Sequence, residues 1–130
     1  MRSQANRTEV RATEGRVEEL YAEVPVMTVA QLRQMLDTGE DMVLLDVREA
    51  FEWELSNLGE HGAILMPMGE IPARLGELNP AERVVVYCRT GARSDLITRF
   101  LLTHGFEQVW NLEGGINEWA RQFDPDMRTY

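Results

Sequence analysis

Apolar residues come along this chain in short bursts, and the bursts are of two kinds. Met42 to Val47, interrupted only by Asp46, and Val84-Val85-Val86-Tyr87 are nearly continuous. Such brief apolar runs predict strands buried on both faces. Val24 to Met27, Ala63 to Met66 and Gln108 to Leu112 predict three further short strands. Between them the pattern shifts to helical spacing. Thr28 is a good N-cap for a helix over Val29 to Asp37 that Gly39 ends, with Leu32, Met35 and Leu36 as its buried stripe. Ala50 to Leu55 predicts a short helix, and Glu70 to Leu78 another, with Pro72 in its first turn and Asn79-Pro80 beyond it. Ser94 to His104 predicts an amphipathic helix with Leu96, Ile97, Phe100 and Leu101 inward and Gly105 at its end, and Ile116 to Phe123 predicts the last. Strands alternating with helices predict an α/β fold: a mostly parallel sheet with helices on both faces.

The remaining segments are polar. Residues 1–23 carry mixed charge with few large apolar side chains, which predicts a frayed tail followed by a short helix. Residues 124–130 read as a C-terminal tail, leaving 24–123 as the domain. A chain of 130 residues suits one such domain. Its formal charge of −9 argues against a nucleic-acid surface, which needs a basic patch. Absence of lysine excludes Schiff-base catalysis and a Walker-type phosphate loop. No apolar run is long enough to span a bilayer, and the amino terminus lacks the core of a secretory signal. The expectation is a soluble cytoplasmic protein with neither nucleic-acid nor membrane partners. Met27, Met35, Met42, Met66 and Met68 read as core filler, with no metal expected.

The chemistry concentrates on Cys88, the one cysteine. With no second thiol it forms no internal disulfide, and a reducing compartment is the default. It ends the Val84 to Tyr87 strand and opens the loop Arg89-Thr90-Gly91-Ala92-Arg93 before a helix. Open α/β folds place ligands at this end of their strands. Gly91 lets the backbone curl so that amides point inward, and the following helix turns its positive end toward the sulfur. Such a setting lowers a thiol's pKa. Arg89 and Arg93 add charge suited to a small anion. For Arg93 the anion role is favoured over capping, because a cation opposes the dipole at a helix start. Arg89 divides evenly between substrate and solvent. Ser94 reads chiefly as a helix-start residue, with a hydrogen bond to the sulfur as the lesser reading. Asp46 and Arg48 read as a supporting ion pair near the loop rather than catalytic groups. His61 and His104 read as surface and helix-end residues, Trp53 as core or pocket rim. Gly114, Gly115 and Trp119 shape and pack the last turn.

Asp46-Val47-Arg48-Glu49, Tyr87-Cys88-Arg89-Thr90-Gly91-Ala92-Arg93-Ser94 and Asn111-Leu112-Glu113-Gly114-Gly115-Ile116 with Trp119 resemble, in this order, the signatures of single-domain rhodaneses. The resemblance covers roughly Val24 to Phe123. It implies a three-layer rhodanese-like fold with a five-stranded sheet. It also implies that Cys88 to Arg93 is the active-site loop, with Cys88 the nucleophile that carries sulfane sulfur as a persulfide and no other cofactor. The implied donor is a small anion such as thiosulfate. With no second cysteine in the chain, the acceptor is external: cyanide in an assay, a thiol or a sulfur-carrier protein in a cell. The stretch from Glu54 to Glu70 is similar to rhodanese domains attached to enzymes that activate ubiquitin-like proteins, apart from Glu60-His61, which reads as an insertion. In related cysteine phosphatases the loop is one residue longer, and its arginine stands six positions after the cysteine. Here Arg93 stands five positions after Cys88. Sulfur transfer is favoured over phosphatase or arsenate chemistry, and over a non-catalytic interaction module, which tends to lack the cysteine.

Overall fold

In the computed structural model, which describes residues 23–130, the two long apolar runs lie side by side at the centre of a sheet. Strand β2 (Val43–Asp46) pairs with β4 (Val84–Tyr87), Leu45 opposite Val86 and Asp46 opposite Tyr87. β1 (Val26–Met27), β3 (Ile64–Leu65) and β5 (Val109–Leu112) complete the order β1-β5-β4-β2-β3, with every pairing parallel. Successive side chains of a strand face opposite ways, so each central strand feeds two cores. Leu45, Val84, Val86 and Cys88 enter one, while Leu44, Val85 and Tyr87 enter the other. That is why neither run alternates with polar residues.

Helices cover both faces. α1 (Val29–Thr38) begins with a reciprocal bond pair, Gln31 N–H to Thr28 Oγ1 and Thr28 N–H to Gln31 Oε1, and ends at Gly39. α2 (Ala50–Leu55) follows β2. α4 (Ala92–Leu102) supplies Ile97 and Leu101 to the first core, and α5 (Gly115–Phe123) supplies Ile116 and Trp119 to the second. The strands are one or two residues shorter at their ends than the apolar pattern predicts, except β4. No helix among the described residues is long and apolar enough to cross a membrane.

Three expectations are corrected. The helix over Glu70 to Leu78 is fragmented: 3₁₀ turns at Met68–Glu70 and Leu75–Glu77 flank a single α turn, α3 (Ile71–Arg74). Pro72 lacks a donor and Gly76 disfavours helix, so neither side of the turn propagates. The helix after the cysteine starts at Ala92 rather than Ser94, because Gly91 takes φ +118° and the chain coils immediately beyond it. Leu96 faces outward, 54% exposed, and Thr98 is buried instead. Ser94, Ile97, Thr98 and Leu101 form the inward stripe, its rotation set by the tie between Ser94 and Cys88. The short helix expected within residues 1–23 falls, but for Glu23, outside the described residues.

Candidate active site

β4 delivers Cys88 to the carboxyl end of the sheet, where the backbone turns through Arg89 and Thr90 to Gly91. Donors converge on the sulfur. Gly91 N–H donates to Sγ at 3.1 Å and Ser94 N–H at 3.4 Å, and Ser94 Oγ lies 3.2 Å away. The loop curls inward because its carbonyls are held from outside. Cys88 O accepts from Ile116 N–H at 2.9 Å and Arg89 O from Asn117 N–H at 3.1 Å, so the first turn of α5 takes the carbonyls. The loop amides are thereby left to the sulfur. Burial pushes the Cys88 thiol up, but the Ser94 hydroxyl and the amides of Ser94, Gly91 and Thr90 outweigh it, and the pKa lies below its ordinary value.

Gly115 makes this packing feasible. Its φ is +62°, and a Cβ there would stand 2.6 Å from Cys88 O and closer still to Arg89 O. No side chain fits between the last turn and the cysteine loop.

The two loop arginines have different surroundings. Arg93 is 34% exposed and makes a bidentate pair with Glu52 of α2, Nη1 to Oε1 at 2.7 Å and Nη2 to Oε2 at 2.9 Å. Arg93, paired and facing Cys88, is held charged more firmly than a free guanidinium. Glu52 is held down to about 2, first by Arg93 and against the opposing effect of burial. Arg89 is exposed, and its guanidinium sits 4.8 Å above the ring of Tyr130, with no carboxylate paired to it among the described residues. Thr90 and Ala92 are exposed beside it.

Asp46 and Arg48 form a wholly buried ion pair, Nη2 to Oδ2 at 2.7 Å, and Arg48 also donates to the carbonyls of Glu52 and Ser56. This guanidinium ties the end of β2 to the end of α2, a bracing role in line with its burial. Burial opposes its charge, and the bonds to Asp46 more than restore it. His61 packs edge-on against Trp119, while His104 Nδ1 bonds with Phe100 O and Thr103 at its helix end. Trp53 packs against the second core.

Three site residues escape sequence reasoning. Glu52 looks like one more surface carboxylate. Asn111, buried on β5, accepts from Ser94 Oγ at 2.6 Å and donates from Nδ2 to Gly91 O at 3.1 Å. A carboxamide inside an otherwise apolar strand was the available signal, since buried polar groups need partners. Tyr130 lies in the segment read as a tail. Its hydroxyl accepts from Arg48 Nη1 at 2.8 Å and donates to Glu52 Oε2 at 2.7 Å, while Ser56 Oγ donates to Arg128 O at 2.9 Å. Residues 124–130 therefore fold back over α2 to the loop.

A parallel sheet covered on both faces, with one strand ending in a thiol ringed by amides, defines an α/β protein of the cysteine-loop class. The chain belongs to the rhodanese family: residues 28–122 match the rhodanese-like domain. It is 40% identical over 90 residues to a sulfurtransferase of Allochromatium vinosum, covering 69% of this chain and 82% of that protein. It is 37% identical over 106 residues to a probable adenylyltransferase/sulfurtransferase, MoeZ, of Mycobacterium tuberculosis, covering 80% of this chain but only 26% of that longer protein. A crystal structure of a rhodanese-like domain protein from Staphylococcus aureus superimposes with a TM-score of 0.69 at 26% identity, over 82% of this chain and 98% of that one.

Proposed function

We propose that this protein is a sulfurtransferase that carries sulfane sulfur on Cys88 as a persulfide. The observation that carries this reading is the convergence of the Gly91 and Ser94 amides and the Ser94 hydroxyl on one sulfur atom. The thiolate attacks the outer sulfur of a thiosulfonate such as thiosulfate. A bond forms between Cys88 Sγ and that sulfur, the donor's S–S bond breaks, and its electron pair leaves on sulfite. Arg89, the loop cation without a carboxylate partner among the described residues, meets the departing anion; Arg93, neutralised by Glu52, contributes less field. The terminal sulfur of the Cys88 persulfide then rests in the amide ring.

In the second half, an external nucleophile attacks the outer sulfur, and Cys88 leaves as thiolate. Cyanide would give thiocyanate, and a thiol, whether of a small molecule or of a sulfur-carrier protein, a persulfide. Supporting this, the chain has no second cysteine to resolve the intermediate internally, and a working thiol of this kind suits a reducing cytoplasmic setting. Thr90, Gly91 and Ala92 contribute backbone rather than side chain to the ring. The test is intact-mass spectrometry after incubation with thiosulfate, with a small-molecule persulfide and with mercaptopyruvate. We expect a gain of one sulfur atom on Cys88 that reductant removes and that Cys88→Ser lacks; loading from none of the three overturns the reading.

A further inference from the structure

Ser94 stands between two acceptors with one hydroxyl proton to give. Its Oγ is 3.2 Å from Cys88 Sγ and 2.6 Å from Asn111 Oδ1. A hydroxyl donates one hydrogen bond, and a carboxamide oxygen donates none. Which end of the Asn111 amide faces Ser94 is decided at its other end, where Nδ2 donates to Gly91 O. Turned over, it would set one carbonyl oxygen against another. Oδ1 thus faces Ser94 and can only accept. While Cys88 is a thiol, all demands are met in one line: Sγ–H donates to Ser94 Oγ, and Ser94 O–H donates to Asn111. When the thiol proton departs to solvent, the sulfur becomes a second acceptor for that same hydroxyl.

We propose that Asn111 is a positioning residue that sets the reactivity of Cys88 by competing with its sulfur for the single Ser94 hydroxyl proton. The Ser94 O–H points at Asn111 in the thiol and rotates onto Sγ as the thiolate forms. Rotation leaves the buried Asn111 carbonyl oxygen without its donor, so Asn111 restrains the ionisation that the loop amides promote. In the persulfide the inner sulfur is bonded to a second sulfur and gives up most of its charge, and the Ser94 proton returns to Asn111. Empty and loaded loops thus differ in one hydroxyl rotor. The charged groups around the sulfur keep their own partners when Asn111 is changed: Arg93 of α4 stays on Glu52 of α2, Arg89 on the Tyr130 ring, and Arg48 on Asp46 at the end of β2.

The inference rests on Cys88 acting as the thiolate described above, but its test uses no sulfur donor, so failure to load sulfur and failure of this proposal are separately visible. The variant is Asn111→Leu, similar in shape and without either polar atom. Iodoacetamide alkylation of Cys88 at mildly acidic pH is expected to rise roughly three- to tenfold, with the inflection of rate against pH moving down. The same substitution in a Ser94→Ala background is expected to change nothing. Were Asn111 only a brace for Gly91, its loss would loosen the loop amides and move the inflection up in both backgrounds. An upward shift, no shift, or an equal downward shift in both backgrounds overturns the proposal. Should Asn111→Leu fold poorly, the unaltered site can be read by NMR. The side-chain amide signal of Asn111 is expected to titrate with the Cys88 midpoint and to lose most of that response in Ser94→Ala; a response of full amplitude there overturns the proposal equally.

Discussion

A thiol sealed inside a protein is ordinarily harder to ionise than one in water, and here Ser94 and the loop amides reverse that sign at Cys88. Removing the hydroxyl with Ser94→Ala takes away one donor and keeps the amides. Alkylation of Cys88 near neutral pH should slow by roughly three- to tenfold, and its inflection should move up; pH-dependent iodoacetamide kinetics measure both. Gly115 acts on the same atoms from the other side. An alanine Cβ would strike Cys88 O and Arg89 O, which must also accept bonds from α5. Gly115→Ala should cost roughly 2–3 kcal/mol of stability in denaturant unfolding and, in the fraction that folds, weaken the thiol's low pKa.

At the scale of elements, the Glu52 to Arg93 pair bolts α2 to α4, and Tyr130 closes the joint from the C-terminal segment. Glu52 has its pKa lowered to about 2, chiefly by Arg93. A carboxylate depressed on folding stabilises above its unfolded pKa and loses that contribution as pH falls through the folded one. Acid should therefore remove roughly 3 kcal/mol between about pH 4.5 and 2, a loss that Glu52→Gln, already weaker at neutral pH, should show in much smaller degree. Urea unfolding across that pH range would measure the difference. Tyr130→Phe keeps the ring beneath Arg89 and deletes only the hydroxyl that bridges Arg48 and Glu52. It should cost about 1 kcal/mol and raise the Glu52 pKa slightly, with the Arg89 ring contact retained. Side-chain carboxyl NMR would follow that titration.

Across the whole molecule, the sheet order brings together groups far apart in sequence. β4 lies between β2 and β5, so the ends of all three meet: Asp46 and Arg48 from one, Cys88 from the next, Asn111 and the Gly114-Gly115 turn from the third. Ligand sites of open α/β sheets form at such strand ends. The large negative charge of the chain leaves Arg89 as a local exception, so capture of an anionic donor should depend strongly on it. Arg89→Ala should raise KM for thiosulfate roughly tenfold, more at low salt than at high, with Cys88 alkylation little altered; steady-state cyanide assays would show the split.

How legible the protein was follows from which interactions are local. Continuous apolar runs announced β2 and β4, because a strand packed on both faces has no polar side to show. Thr28, Gly39 and the cysteine loop announced themselves because capping and turning are settled within a few residues. Pro72 and Gly76 mark the fragmentation locally too, although the helical spacing of Ile71, Leu75 and Leu78 runs on across them. By itself, then, the sequence determined the alternation of strands and helices, the rhodanese motifs, and the place of Cys88 at a strand end. Only the tertiary structure decided that Arg93 is answered by Glu52, that Leu96 turns outward because Ser94 turns in, that Asn111 accepts from the Ser94 hydroxyl, and that Tyr130 returns to the loop. Apart from the Ser94–Cys88 tie, which spans six positions, these depend on pairings between residues 17 to 78 positions apart, where a side chain's partner is chosen by the packing of sheet and helices rather than by its neighbours along the chain.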